Sequence, residues 1–322
     1  MISVYVHENG ATRCVDRVEP SWLEPGARVT IWADLATPTP EESRLILADT
    51  FKFHPLAVED ATSEIHHPKV EAYDEYLYLI LHGIALEERE HGFATRDVDF
   101  FLGRNYLVTV HDGLSRSIAK LRDMCDRHQH ILAEGPIGLL HRIVDSMVDH
   151  YGPEIDAIEQ RIDEIESEAA LGSRETLVRQ ILTLKRDLSS LRRVVIPQRD
   201  AVGRLARREF ALISDEMAYR FRDVYDHLVR LSDEAMLFQD RVTGVLEVHL
   251  STISNRLNQV MKVLTVMSTI FLPLTVLTGM WGMNILLPVF PGGEAAQFWW
   301  IGAIMAVLSG SMLVLFRIKR WI

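Results

Sequence analysis

The stretch VLTVMSTIFLPLTVLTGMWGMN, Val263 to Asn284, contains no charged side chain. Lys262 precedes it, the next charge is Glu294, and a second uncharged run follows from Ala295 to Phe316. A helix rising 1.5 Å per residue needs about 20 apolar residues to cross roughly 30 Å of hydrocarbon, so each run is long enough to span. The first run ends in a small polar tripeptide, Gly282-Met283-Asn284, where an ordinary helix stop is expected. These features predict a multi-pass membrane protein with a large soluble part.

The flanks set the orientation. Lys262 stands before the first span, Arg317, Lys319 and Arg320 follow the second, and the segment from Gly282 to Gln297 has neither Lys nor Arg. The positive-inside rule then puts both termini in the cytoplasm and the tripeptide on the outer face of the cell membrane. The opening MISVYVHENGATRC has no apolar core of signal-peptide length, so residues 1–261 are expected to stay inside. Two cysteines, Cys14 and Cys125, suit a reducing compartment. Up to residue 261 there are thirty basic and 44 acidic side chains, a balance of minus 14. Such a surface repels nucleic acid and attracts cations.

Residues 1–113 alternate β-rich runs (SVYV, RVTIWADL, YLYLILHGIAL, DVDFFLG, NYLVTV) with helical ones (EESRLILADTF and the segment around Pro55 to Asp60), which predicts a small α/β domain. Residues 114–213 read as a helical region. Ile155, Ile158, Ile162, Ile165 and Ala169 step by three and four, as do Leu177, Ile181, Leu184, Leu188, Leu191 and Val195. Two long helices packed as a hairpin are expected, turning at Ala169-Ala170-Leu171-Gly172-Ser173 with Ser173 as a cap. The first is acidic on its outer face and the second basic. Mutual ion pairing is the simpler reading; an acidic surface that concentrates divalent cations is the functional one.

Residues 214–281 contain no proline before Pro273. A continuous helix there would extend about 100 Å, a stalk running on into the first span. Residues 282–297 form the outer loop, 298–316 the second span and 317–322 a basic tail. On the stalk, Asn258, Met261, Thr265, Ser268, Leu272, Thr275 and Gly279 follow one another at steps of three and four. Amide, hydroxyl and small groups on one stripe of a greasy helix face other helices or water. Two spans cannot enclose a polar path, so a pore requires a ring of subunits.

NQVMKVLTVMSTIFLPLTVLTGMWGMN, the short outer loop, the second span and the tail FRIKRWI resemble the CorA family of divalent metal ion transporters. FKFHPLAVED, HHPKVE and FRDVYDH are similar to segments of its cytoplasmic part. The resemblance implies an α+β fold: an N-terminal α/β cytoplasmic domain, a long helical stalk and two C-terminal transmembrane helices, assembled as a funnel-shaped homopentamer. It implies a selectivity ring of Gly282, Met283 and Asn284, a pore asparagine at Asn258, and hydrophobic constrictions at Met261, Leu264 and Leu272. Asp223 matches a regulatory metal ligand between neighbouring cytoplasmic domains, and Glu87 or Glu88 is the nearest acidic counterpart of its partner. Mg²⁺ is then both cargo and regulator, Co²⁺ and Ni²⁺ are further permeants, and no organic cofactor or enzymatic activity is expected.

Uncharged ligands suit Mg²⁺, which sheds water reluctantly: carbonyls and an amide hold the hydrated ion through its waters, where a carboxylate would bind too tightly to release. Trp281 replaces the family's usual tyrosine, and the loop ILLPVFPGGEAAQFWW departs from the acidic loop of many magnesium channels towards that of zinc-transporting relatives. A proton-coupled zinc transporter of the same superfamily is therefore the first alternative, and a non-conducting membrane metal sensor the second. Cys125, His128 and His130 have metal-like spacing with no evident further ligand.

Overall fold

The computed structural model describes residues 1–24, 26–63, 66–84, 94–128, 130–171, 175–283, 291 and 293–321. It divides into two units, Met1–Leu246 and Glu247–Ile322.

The first unit opens with strands β1 (Ile2–Glu8), β2 (Ala11–Val15) and β3 (Thr30–Ala36), followed by helix α1 (Pro40–Ser43), which runs directly into a π-helical turn, Arg44–Thr50. Helix α2 (Pro55–Thr62) precedes β4 (Lys69–Ala72), β5 (Leu77–Ile84), β6 (Thr95–Leu102) and β7 (Tyr106–His111). The seven strands form one sheet in the order β2-β1-β3-β7-β6-β5-β4, antiparallel except where β3 meets β7. Strand side chains alternate between faces, and here both faces are covered. Leu77, Leu79 and Leu81 of β5 point into one core, while Tyr78 and Ile80 point into the other. That double burial explains why YLYLILHGI is nearly continuous in apolar residues.

The smaller core, beneath α1 and α2, includes Phe53, Tyr78, Phe101 and Val108. The larger joins the opposite face to α3 (Arg116–Arg127), α4 (Gly135–Asp149), α5 (Tyr151–Leu171), α6 (Glu175–Ala206) and the first part of α7 (Asp215–Trp281). Every expected seam residue of α5 and α6, from Ile155 to Ala169 and from Leu177 to Val195, is buried in it. Gly172 and Ser173, assigned to the hairpin turn, lie outside the described residues.

Two strands escaped the sequence reading. β2 (ATRCV) and β4 (KVEA) are the sheet's short edge strands and lack a clean apolar alternation. A signal for β2 does exist: Asn9-Gly10, both with positive φ (53° and 81°), make the tight turn of the β1–β2 hairpin. The charged faces also pair otherwise than expected. Glu159, Asp163 and Glu166 of α5 are bridged by Arg241 of α7 at 3.8, 2.7 and 2.8 Å, and among the described residues α5 is joined to α6 by an ion pair of Arg161 with Asp187 at 3.3 Å.

Helix α7 is continuous for 67 residues, through Pro273, as the absence of earlier breakers predicts. Its C-terminal part and α8 (Glu294–Ile318) make up the second unit, and these are the two described helices long and apolar enough to cross a membrane. Within that unit Lys262 Nζ donates to the Arg320 carbonyl at 3.0 Å.

Candidate ion pathway and cytoplasmic metal ligands

In its membrane part, α7 has half-buried residues at Lys262, Val266, Ile270, Pro273, Leu274, Leu277 and Trp281, and α8 has them at Gln297, Ile301, Ile304, Met305, Leu308, Ser309, Met312 and Phe316. Both sets step by three and four, so each helix has one covered stripe. At 100° per residue, Asn258, Met261, Leu264, Thr265, Ser268, Leu272, Thr275 and Gly279 fall on the opposite side of α7, and all eight are exposed. Met261, Leu264 and Leu272 remain 64%, 63% and 66% accessible. The single chain therefore leaves uncovered the side that holds its amide and hydroxyl groups.

Thr265 Oγ1 donates to the Met261 carbonyl and Thr275 Oγ1 to the Phe271 carbonyl, each at 2.8 Å. With their protons committed to the helix, these oxygens present lone pairs outward, the polarity that accepts from water around a cation. Pro273 removes the amide that would have bonded Thr269, yet the helix continues past it.

The helix ends as it reaches the tripeptide. Gly282 N donates to Thr278 O at 2.9 Å and Met283 N to Met280 O at 3.3 Å. A Cβ at Gly282 would stand 3.1 Å from that same Thr278 oxygen, so the glycine serves close backbone approach. Met283 is exposed. Asn284, the expected selectivity residue, lies outside the described residues, as do Glu87 and Glu88.

In the first unit, Asp223 is exposed on α7. Its electrostatic neighbours come from α4, which the sequence reading did not single out. The Asp145 carboxyl is raised above its usual range by burial first and then by Asp149, with Asp223 adding to the rise and His141 and His227 opposing it. Burial also lowers the imidazole of His141, whose ring meets Phe221 of α7 edge-on at 5.4 Å. His141, Asp145 and Asp149 step by four on α4, and Asp223 and His227 by four on α7. That spacing is the signal that would have found them.

No group of three or more His, Cys, Asp and Glu side chains is placed to hold a metal among the described residues of this one chain. Cys125 is buried in the larger core and its thiol is pushed up to about 12 by burial, so it packs as a small apolar residue and supplies no thiolate.

The chain resembles known proteins over most of its length. The family model of the CorA-like Mg²⁺ transporter protein matches residues 28–320. YfjQ of Bacillus subtilis is 35% identical over 290 residues, covering 90% of this chain and 89% of its own. The cobalt/magnesium transport protein CorA of Thermotoga maritima is 31% identical over 281 residues, covering 86% of this chain and 79% of its own. The complete structure of the CorA magnesium transporter from Methanocaldococcus jannaschii superposes with a TM-score of 0.84 over 100% of this chain and 99% of that one; at 23% identity the likeness is one of fold.

Proposed function

Since the chain belongs to the CorA-like Mg²⁺ transporter family, we propose that it is a magnesium channel of the cell membrane, passive, gated by internal divalent metal and also open to Co²⁺ and Ni²⁺. In this reading five copies form a funnel, with both termini cytoplasmic and the α7 helices around the axis. The observation that carries it is the uncovered stripe from Asn258 to Gly279, opposite the side of α7 that is half-buried. A ring of such helices turns amide and hydroxyl acceptors towards a column of water. Met261, Leu264 and Leu272 narrow that column and close it by dewetting.

Gly282, Met283 and Asn284 form the outer mouth, where the Asn284 amide oxygens of several subunits accept from the waters of one hydrated ion. Entry is downhill: a divalent cation moving to a negative interior gains about 4.6 kcal/mol per 100 mV, twice the single-charge value. Inside, metal bound at Asp223 and an acidic residue of the neighbouring subunit, Glu87 or Glu88, holds the ring closed. When internal metal falls, the acidic surfaces repel and the constrictions wet.

The test is Mg²⁺ entry into proteoliposomes loaded with a Mg²⁺ dye, for the wild type and Asn284→Ala. Entry that falls at least tenfold in the variant supports the pathway, whereas equal entry refutes it. Vesicles that stay tight to every divalent cation would leave the metal-sensor reading. Entry of Zn²⁺ that depends on a pH gradient would favour the zinc transporter.

A further inference from the structure

Where the residues leading into β4 approach α6, an open groove of about 570 Å³ lies between them and α7, a size typical of small-molecule sites. Its polar wall is His67, Ser189, Arg192, Arg193 and Gln239, and among the described residues no carboxylate lines it. The chain carries 45 acidic against 34 basic side chains, so a groove walled by donors alone runs against its overall charge.

The guanidiniums of α6 are not all treated alike. Three of its arginines are half-buried: Arg192, Arg199 and Arg204. Arg199 meets Asp200 at 2.9 Å and Arg204 meets Glu209 at 2.8 Å. Arg192 differs, for its Nη1 donates to the neutral Gln239 side chain, through Oε1. That bond fixes the guanidinium and leaves its charge uncompensated, while Nε2 of the same amide remains a further donor. Its neighbour Arg193 is exposed and has neither hydrogen bond nor ion pair among the described residues. A positioned, partly desolvated cation without a counter-charge is costly unless an anion completes it.

The facing wall is held from behind. Buried His82 donates from Nε2 to the His66 carbonyl at 2.5 Å, and the His82 amide donates to Gln198 Oε1 of α6 at 2.7 Å. Four residues on from His66, the Val70 carbonyl accepts from Arg204 Nη1 at 2.8 Å. The backbone that carries His67 is thereby fastened to α6 on both sides, and its imidazole is left exposed at the groove.

The lining restricts the ligand. Guanidinium forks match phosphate oxygens in planar, bidentate geometry. Without a carboxylate the groove offers nothing to a cation, and a lone phosphate would leave most of its volume empty. Ile196 and Pro197 add an apolar wall. We infer that this groove binds a small organic phosphate of the nucleoside polyphosphate class, its phosphates on Arg192, Arg193 and His67 and its ring against Ile196 and Pro197. The inference is independent of conduction.

The experiment is a calorimetric titration of the full-length protein in nonionic detergent with adenosine triphosphate, in metal-free buffer at constant ionic strength. Three variants accompany the wild type. Arg193→Gln removes a groove cation, Ser189→Glu adds a carboxylate while keeping both guanidiniums, and Arg179→Gln removes an exposed charge from the same helix outside the groove. The expected result is saturable binding, at least tenfold weaker in Arg193→Gln and Ser189→Glu and unchanged in Arg179→Gln. Adenosine and inorganic phosphate should each bind the wild type at least tenfold more weakly than the triphosphate. The inference is overturned if no saturable binding occurs, if either groove variant binds as the wild type does, if Arg179→Gln weakens binding equally, or if adenosine or phosphate alone binds as tightly. If Arg193→Gln does not fold, Ser189→Glu decides on the same criteria.

Discussion

At Asp99 the folded chain holds a proton that the unfolded chain releases. Its carboxyl sits at about 8 when folded, against about 4 in an unfolded chain. Below about pH 4 both states are protonated. Between about 4 and 8 only the folded state carries the proton, so this residue makes stability fall as pH rises, and above 8 the loss is complete. Asp99→Asn, uncharged throughout, is predicted to flatten that decline, read as the unfolding midpoint from pH 5 to 9; parallel curves for the two proteins would contradict it. Asp223 gives the opposite kind of test, since its proposed role needs a second subunit. Asp223→Ala should lose Mg²⁺-dependent protection against proteolysis, and unchanged protection would remove it from the regulatory site. Neither Asp99 nor the neighbours of Asp223 stood out in the sequence. Asp99 owes its character to burial beside Tyr78, 21 positions away, and Asp145 meets Asp223 only because α4 packs on α7. Such facts are tertiary, whereas the tripeptide at Gly282 was legible because the spans on either side isolate it.

Among the elements, periodicity was the readable quantity. Every position that the steps of three and four named in α5 and α6 is buried, although Tyr151, Val194, Val202 and Leu205 join the same core without having been named, and the lack of breakers before Pro273 predicted α7 as one helix. Charge was less readable, because a charged face does not say which neighbour it meets. Three acids of α5, Glu159, Asp163 and Glu166, pair with Arg241 of α7, a third helix. With these acids 40% to 63% exposed, Arg241→Met should cost no more than about 1 kcal/mol per pair lost. Edge strands β2 and β4 were missed for the converse reason: partners on one side and few apolar residues leave little pattern to read. On α7 the two sides should respond differently to polar substitution. Leu272→Asn, on the uncovered side, is predicted to keep a constriction wet and raise Mg²⁺ leak at high internal metal. Ile270→Asn, on the half-buried side, should weaken the folded membrane unit without raising leak. If both variants leak equally, the orientation of α7 is wrong.

For the molecule as a whole, an acidic N-terminal part and two apolar spans without charge suit a protein that gathers cations and lets the membrane potential move them. The proposed conduction depends on copies of α7 standing around a wet axis. The most direct measurement is Mg²⁺ entry into sealed proteoliposomes while an imposed potassium diffusion potential is stepped, with and without a pH gradient. Entry that accelerates as the interior is made more negative, ignores the pH gradient and fails in Asn284→Ala is the predicted result. Entry indifferent to potential, or dependent on the proton gradient, would contradict a passive pore lined by this helix.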